Sequence, residues 1–221
     1  MKKLEISSEA ANAFGSIIIL LTTFIIIAVL VYNKVSVVEV KNEPIIIESQ
    51  SISNLDSIRN EIVIEIDNYI SKVSPKSKID AETLFNLCDN YNIDVRFVMA
   101  QGQIESHYAT TGTAAKTNSI FNVGAYDGHS ADRQRKNGFG YSNPNESIEP
   151  YLILLRNYYL MNGKSEHDLM NNFVNKRGKR YASDRYYEKS LKTVYNKINR
   201  TTNLDILLKE YNEVKYSNMF L

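Results

Sequence analysis

The strongest hydrophobic pattern in the chain is an uncharged apolar run from Phe14 to Tyr32. As a helix of about 19 residues it would rise roughly 28 Å, close to the thickness of the hydrocarbon core of a bilayer. A soluble helix of this length normally shows a polar face, and this run has none. A cleaved signal peptide has a shorter apolar region that ends at a small-x-small site, which this sequence lacks. The pattern therefore predicts a retained transmembrane anchor at 14–32, preceded by an N-terminal tail at 1–13.

Residues 33–54 are predicted to form a stalk, because they mix apolar and polar residues without a sustained period and contain the breaker Pro44. Apolar residues at helical spacing then cover Leu55–Val73, and Ser74-Pro75 ends the pattern. The stalk thus leads to a folded domain that is predicted to span residues 55–221.

Helical periodicity dominates the rest of the chain and is interrupted once. Between Tyr108 and Tyr141 it disappears, and Gly, Thr, Asn and Asp become frequent, which indicates a loop region or a small sheet. The predicted fold class is therefore α+β and mainly α. Further helices are predicted at 81–90 with Asp80 as N-cap, at 95–106 with Asp94 as N-cap, and at 147–159, 166–174, 186–198 and 204–211.

Composition narrows the classes of function. The net charge of +1 provides no strong field that would attract nucleic acid. The three His residues lack metal-ligand spacing and no phosphate-binding glycine loop is present, so neither a metal nor a cofactor is expected. The single cysteine, Cys88, lies in an apolar stretch and is predicted to be a buried structural thiol. The 15 Tyr residues can supply the stacking faces that sugar rings need.

Glu105 is the main candidate for chemistry. It lies at the end of the predicted helix 95–106, just before the irregular region, so its carboxyl is expected between the core and a cleft. Partial burial disfavours the charged form of a carboxyl and raises its pKa. A general acid that protonates a glycosidic oxygen requires this property, although a solvated surface glutamate would show the same local sequence.

Four segments resemble motifs of glycoside hydrolase family 73, the bacterial endo-β-N-acetylglucosaminidases, and follow one another in the order of that family. Residues 101–106, which contain Glu105, resemble its QxxLES motif. The resemblance covers about residues 80–200. The other matches are residues 118–124 (family N-x-F-G-I/V), 139–148 (F-x-Y-x-S-x-x-x-S-I/F) and 181–189 (Y-A-T-D-x-x-Y-x-x-K).

The resemblance implies a lysozyme-like fold, in which a helical lobe faces a small β-lobe across a groove. It implies that Glu105 is the general acid and that Tyr181 lies near the cleaved bond, where it orients a water molecule or the acetamido group of the substrate. For Asn118 and Phe121, the alternative roles are a loop-anchoring amide and a core ring. The resemblance assigns substrate-binding positions to Gln101, Asn118, Phe121, Asn122 and Tyr141.

The second carboxylate is the point at which this sequence departs from the family. The family often carries a Glu in its β-lobe, whereas residues 123–139 contain none and offer Asp127 and Asp132. Asp127 is preferred as a catalytic candidate, although Asp127-Gly128 is also typical of a turn. Alternatively, the 2-acetamido group of the substrate acts as an internal nucleophile and Glu105 is the only acid.

The resemblance implies that one partner is the glycan strands of peptidoglycan. The apolar run 14–32 predicts a lipid bilayer as a second partner, and no nucleic acid is expected. Lysines on the two sides of the apolar run balance each other, so the positive-inside rule gives no orientation. Because peptidoglycan lies outside the cytoplasmic membrane, the domain is expected on the wall side. The membrane would be that of the host, or the chain would belong to a virion if it is of phage origin.

The function that the resemblance implies is hydrolysis of the β-1,4 glycosidic bond after N-acetylglucosamine in peptidoglycan. Three other functions fit the same sequence pattern. A lytic transglycosylase also uses one Glu, but its family carries a G-L-M-Q segment where this chain has residues 118–124. An inactive, membrane-tethered wall-binding protein would keep the fold and would explain why 123–139 contains no Glu. Action on protein-linked glycans is an alternative within the glucosaminidase family.

Overall fold

The computed structural model describes residues 45–122 and 140–218. The chain divides into two compact units, Met1–Glu48 and Ser49–Leu221, and the helical domain is the second. In the described part of the chain, no helix is both long enough and apolar enough to cross a bilayer. The predicted tail and transmembrane anchor lie outside that part, as does the predicted stalk up to residue 44.

Helices account for almost all regular structure in the described residues. No strand is present there, and the β-type pairing is limited to one antiparallel bridge between Val174 and Arg180. The mainly helical prediction is confirmed and fits a lysozyme-like helical domain. Residues 123–139, part of the predicted small β-lobe, lie outside the described ranges. The α-helices are α1 (Ile45–Val73), α2 (Ala81–Tyr91), α3 (Val95–Ser106), α4 (Ala114–Thr117), α5 (Ile148–Leu154), α6 (Glu166–Leu169), α7 (Tyr187–Thr201) and α8 (Leu204–Asn218), with a 3₁₀ turn at Pro144–Ser147 and a π-helical turn at Leu155–Tyr159 on either side of α5.

Local sequence explains where α2 and α3 begin. The Asp80 carboxylate accepts a hydrogen bond from the Thr83 backbone N–H at 2.7 Å. The Asp94 carboxylate accepts one from the Arg96 backbone N–H at 2.9 Å. Each bond satisfies a backbone donor that the first turn of a helix leaves without an intrahelical partner. Both N-caps predicted from the sequence are confirmed.

Helix α1 is longer than the apolar period predicts. It begins at Ile45, so residues 45–54, which the pattern assigns to the stalk, are helical. Pro44 directly precedes the helix and no Gly or Pro occurs inside it, so no helix-breaking residue separates the two segments. Its end at Val73 agrees with the stop signal predicted at Ser74-Pro75.

The predicted helix at 166–174 is reduced to the short α6, because the chain then turns back on itself. In this turn the Asn175 N–H donates to the Lys179 carbonyl at 2.8 Å, and the Tyr181 N–H donates to the Phe173 carbonyl at 2.8 Å. The turn therefore places the backbone of Tyr181 beside Phe173.

Helix α3 lies at the centre of the core. Phe97, Val98, Met99 and Ala100 are each at most 1 % exposed, because α2 and α7 both pack against α3. Cys88 on α2 is also buried, as predicted, and burial raises the pKa of its thiol. A polar residue at the end of α3 is consequently held by a rigid, closely packed element.

Candidate active site

The Glu105 carboxyl lies at the end of α3, one residue before the helix stops at Ser106. Its side chain is half-buried. Its Oε1 atom accepts a hydrogen bond from the Tyr187 hydroxyl at 2.5 Å, a length typical of hydroxyl donors to carboxylates. Tyr187 is the first residue of α7, so the packing of α7 along α3 brings the two groups together.

Burial raises the pKa of the Glu105 carboxyl above its ordinary value and is the largest influence on it. Hydrogen bonds from the Tyr187 and Asn122 side chains favour the charged form and lower this pKa, but they do not cancel the effect of burial. A carboxyl with a raised pKa keeps its proton to a higher pH than a surface carboxyl does. Glu105 is therefore suited to donate a proton closer to neutral pH.

A left-handed turn directly follows the helix that carries Glu105. The Ser106 hydroxyl stabilises it by donating to the Ile120 carbonyl at 2.7 Å and accepting from the Ala109 N–H at 2.7 Å. These bonds tie the end of α3 to the segment after α4. Three consecutive residues of the turn have positive φ angles, which non-glycine residues rarely adopt: His107 (47°), Tyr108 (58°) and Ala109 (61°).

Two asparagines of the segment after α4 organise the surroundings of the acid. Asn122 Nδ2 donates to the Glu105 backbone carbonyl at 3.2 Å. Asn118 Nδ2 donates to the backbone carbonyls of Tyr141, at 2.9 Å, and Ser142, at 3.3 Å. Asn118 thus holds the loop that contains Tyr141 and Ser142, and Asn122 lies directly against the acid. The substrate-binding roles predicted for both asparagines stay predictions.

Phe121 and Tyr141 are core residues in this structure rather than exposed groove residues. They are 2 % and 6 % exposed, respectively. The Phe121 ring stacks on Tyr151 with 3.7 Å between ring centroids. The Tyr141 N–H donates to the Thr117 carbonyl at 2.7 Å. Both rings are thus buried beside the site, and the substrate-binding roles that the sequence assigns to them stay predictions.

Gln101 is fully buried, and its predicted role in substrate binding stays a prediction. It lies one helical turn before Glu105 on the same face of α3. Its Nε2 atom donates to the Tyr187 hydroxyl at 3.0 Å. Gln101 thus supports the tyrosine that holds the acid.

Tyr181 belongs to an aromatic cluster near Glu105. Its ring stacks on Phe173, with 4.5 Å between centroids, and is tilted against Tyr187 at 5.5 Å. Its hydroxyl donates to the Phe121 carbonyl at 3.4 Å, which is a long hydrogen bond. Burial, and to a smaller extent the charge of Glu105, raise the pKa of Tyr181 well above its ordinary value. The hydroxyl therefore stays protonated and available as a donor.

Replacing Tyr181 by Phe should lower turnover on glycan more than it lowers stability. In the described part of the chain the hydroxyl makes one long hydrogen bond, so its removal costs little free energy of unfolding. A hydroxyl that orients a reacting group has no substitute in Phe. Turnover and the urea midpoint should be measured on the same preparation. Unchanged turnover would assign Tyr181 to the core alone.

Tyr187 is the site residue that the sequence pattern does not single out. Its contact with Glu105 joins positions 82 residues apart and depends on how α7 packs on α3. The signal that could have identified it is its match to the second tyrosine of the family pattern Y-A-T-D-x-x-Y-x-x-K in segment 181–189.

The predicted second acids, Asp127 and the lower-ranked Asp132, lie outside the described residues. Within residues 45–122 and 140–218, no group of three His, Cys, Asp or Glu side chains could hold a metal ion.

A helical domain with a half-buried carboxyl at the end of its central helix fits the lysozyme-like class of glycoside hydrolases. The sequence profile of the family described as mannosyl-glycoprotein endo-beta-N-acetylglucosaminidase matches residues 81–200. The chain belongs to this glucosaminidase family, which implies a glycosidase of the peptidoglycan-hydrolase type. The matched range confirms the resemblance predicted for about residues 80–200. No match was found among curated proteins.

Proposed function

We propose that this protein hydrolyses the glycan strands of peptidoglycan at the β-1,4 bond after N-acetylglucosamine, with Glu105 as the general acid. The observation that carries the proposal is the half-buried Glu105 carboxyl, whose pKa is raised by burial and whose position is fixed by Tyr187. The family supports the type of bond. The test is digestion of purified peptidoglycan by the full-length chain, followed by identification of the sugar at each new chain end.

In the proposed reaction, protonated Glu105 gives its proton to the glycosidic oxygen while the bond between that oxygen and C1 of N-acetylglucosamine breaks. The leaving strand departs with a hydroxyl group, and Glu105 becomes a carboxylate. A water molecule then forms the new bond to C1, and its released proton returns to Glu105. The sum is the addition of one water across the glycosidic bond.

Two groups are candidates for stabilising the positive charge that develops at C1. Asp127 would act as a nucleophile about 5–5.5 Å from the acid, or as a base that activates water at roughly 6.5–9.5 Å. Alternatively, the acetamido oxygen of the substrate attacks C1, and water later opens the ring that it forms. Tyr181 supports the second route, because its protonated hydroxyl lies near Glu105 and can orient the acetamido group.

Three alternatives use the same fold. A lytic transglycosylase would use Glu105 but would end the reaction without water, and the segment 118–124 favours hydrolysis over this outcome. An inactive wall-binding protein would have no need for a buried carboxyl held by a hydroxyl donor. Cleavage of protein-linked glycans is supported by the activity for which the family is named, that of a mannosyl-glycoprotein endo-beta-N-acetylglucosaminidase.

The proposed location is a membrane, with residues 14–32 as the anchor and the catalytic domain on the wall side. This location follows from the uncharged apolar run and from the place of peptidoglycan outside the cytoplasmic membrane. The membrane belongs to a host cell, or the protein to a virion if the chain is of phage origin.

Protease added to intact spheroplasts should therefore digest the domain that follows residue 54. An epitope fused to the N-terminal tail should survive the same treatment, because the tail lies on the other side of the membrane. Immunoblotting for both parts measures the result, with a known wall-side protein as the accessibility control. Full protection of the domain while that control is digested would contradict the topology.

A further inference from the structure

A chain of two hydrogen bonds runs from the core to the acid. Gln101 Nε2 donates to the Tyr187 hydroxyl at 3.0 Å, and this hydroxyl donates to Glu105 Oε1 at 2.5 Å. Gln101 is fully buried and Tyr187 is 6 % exposed, so water does not compete freely for either bond.

The direction of this chain follows from the orientation of the Gln101 amide, whose Nε2 atom faces the Tyr187 hydroxyl. An amide nitrogen can only donate, and a neutral phenol has one hydrogen of its own. Because the Tyr187 oxygen accepts from Gln101, its hydrogen is free to point at Glu105. Burial raises the pKa of Tyr187 well above its ordinary value, so it keeps that hydrogen. Oε1 of Glu105 is therefore occupied by a donor.

We propose that Tyr187 and Gln101 are positioning residues that keep the catalytic proton of Glu105 on Oε2, the oxygen that does not contact Tyr187. This inference rests on the proposed role of Glu105 as general acid. When Oε2 gives its proton to the glycosidic oxygen, Glu105 becomes negative and Tyr187 keeps its own proton. The bond from Tyr187 strengthens as that charge develops, so it stabilises the transition state more than the ground state.

The groups around Glu105 allow a change in its pKa to be measured without interference from their own titration. The described titratable side chains that interact with it are Tyr151 on α5, Tyr181, and Tyr187 on α7, and Asn122 adds a neutral donor. Burial raises the pKa of all three tyrosines well above the ordinary value. Glu105 is the carboxyl of this set, so a titration that follows carboxyl signals reports on it and not on the three tyrosines.

The test is a carbon-13 NMR titration of the glutamate carboxyls in the full-length chain, with Glu105→Gln used to assign the Glu105 signal. In Tyr187→Phe the Glu105 pKa should rise, because the charged form loses a donor. The upper limb of the pH profile for glycan cleavage should move to higher pH with it. Turnover at low pH should fall about ten-fold, since a charge-assisted bond is lost.

Two further variants distinguish a positioning role of Tyr187 and Gln101 from a contribution to core packing alone. Gln101→Leu keeps the volume but frees Tyr187 from its donor, so it should raise the Glu105 pKa less than Tyr187→Phe does. Tyr151→Phe is the matched control, because the buried Tyr151 hydroxyl has no hydrogen-bond partner in the described residues. It should leave the Glu105 pKa unchanged.

A lower or unchanged Glu105 pKa in Tyr187→Phe would overturn the inference, and a lower one would show that Glu105 donates to Tyr187 instead. If the Tyr187 variant does not fold, an unchanged Glu105 pKa in Gln101→Leu has the same consequence. A wild-type chain that cleaves no glycan would overturn the proposed function, while the titration would still decide which group donates.

Discussion

Replacing Glu105 by glutamine should reduce glycan cleavage by about 10²–10⁴-fold, the range that general acid catalysis contributes. Glutamine has nearly the same shape and can still accept the hydrogen bond from Tyr187 through its amide oxygen. It has no acidic proton for the leaving oxygen. Release of soluble sugars from purified peptidoglycan measures the effect. Near-normal activity in a folded variant would contradict the assignment of the acid.

The pH dependence of the stability of Glu105→Gln is a second, independent test of the raised Glu105 pKa. The pKa of Glu105 is raised in the folded state, so its contribution to stability is present at acid pH and is lost as the pH rises through that raised pKa. Glutamine does not ionise, so the variant should be at least as stable as the wild type at neutral pH. This advantage should shrink as the pH falls through the raised folded-state pKa of Glu105, and it should be absent below about 4.3, the unfolded-state pKa.

The control for this experiment is Glu213→Gln. Glu213 lies on α8 with 68 % of its side chain exposed, and its ion pair with Lys209 is 4.0 Å long. The chemical change is the same, but an exposed ion pair contributes little. Cleavage of glycan and the urea midpoint should both match the wild type.

Replacing Phe173 by alanine should lower the free energy of unfolding by about 3–5 kcal/mol, as is typical of buried Phe-to-Ala changes. Phe173 has no exposed surface. Its ring stacks on Tyr181 at 4.5 Å between centroids and packs against Tyr187 at 6.1 Å. Turnover should fall as well, because the two tyrosines that surround the acid lose the ring that supports them.

Urea unfolding measures this loss, since the midpoint falls in proportion to stability when the slope is unchanged. Tyr216→Ala is the matched control, because Tyr216 is 48 % exposed on α8. Its change should stay within about 0.5 kcal/mol, as is usual for surface positions. A loss below about 1 kcal/mol for Phe173→Ala would show that the aromatic cluster adds little to stability.

Local signals predicted much of the helical framework correctly. Asp80 and Asp94 act as N-caps, and α1 ends at Val73 before Ser74-Pro75, because capping and proline geometry depend on neighbouring residues alone. The start of α1 at Ile45 was harder to predict, since residues 45–54 lack the apolar period by which a helix is identified. The missed end of α6 depends on a turn that long-range packing stabilises.

In the candidate site, too, the sequence indicated some residues, whereas others depend on how the helices pack. Motif order indicated Glu105 and Tyr181, and the structure places both in one cluster. Motif order did not indicate that Gln101 is buried. A polar residue on an apolar helix has the same neighbours in the sequence whether its side chain faces a core or a groove. Tyr187 was missed for a related reason: its bond to Glu105 exists only after α7 has packed on α3.

The most direct test of the proposed function is mass analysis of the sugars released when the full-length chain digests purified peptidoglycan. We expect fragments that end in N-acetylglucosamine with a reducing end that borohydride reduces, and a release by Glu105→Gln that is lower by about 10²–10⁴-fold. A high-mannose glycoprotein, assayed in parallel, should stay intact. Fragments that end in anhydro sugars would show a transglycosylase, and fragments that end in reducing N-acetylmuramic acid would show cleavage of the other bond. Either result, or cleavage of the glycoprotein alone, would contradict the account.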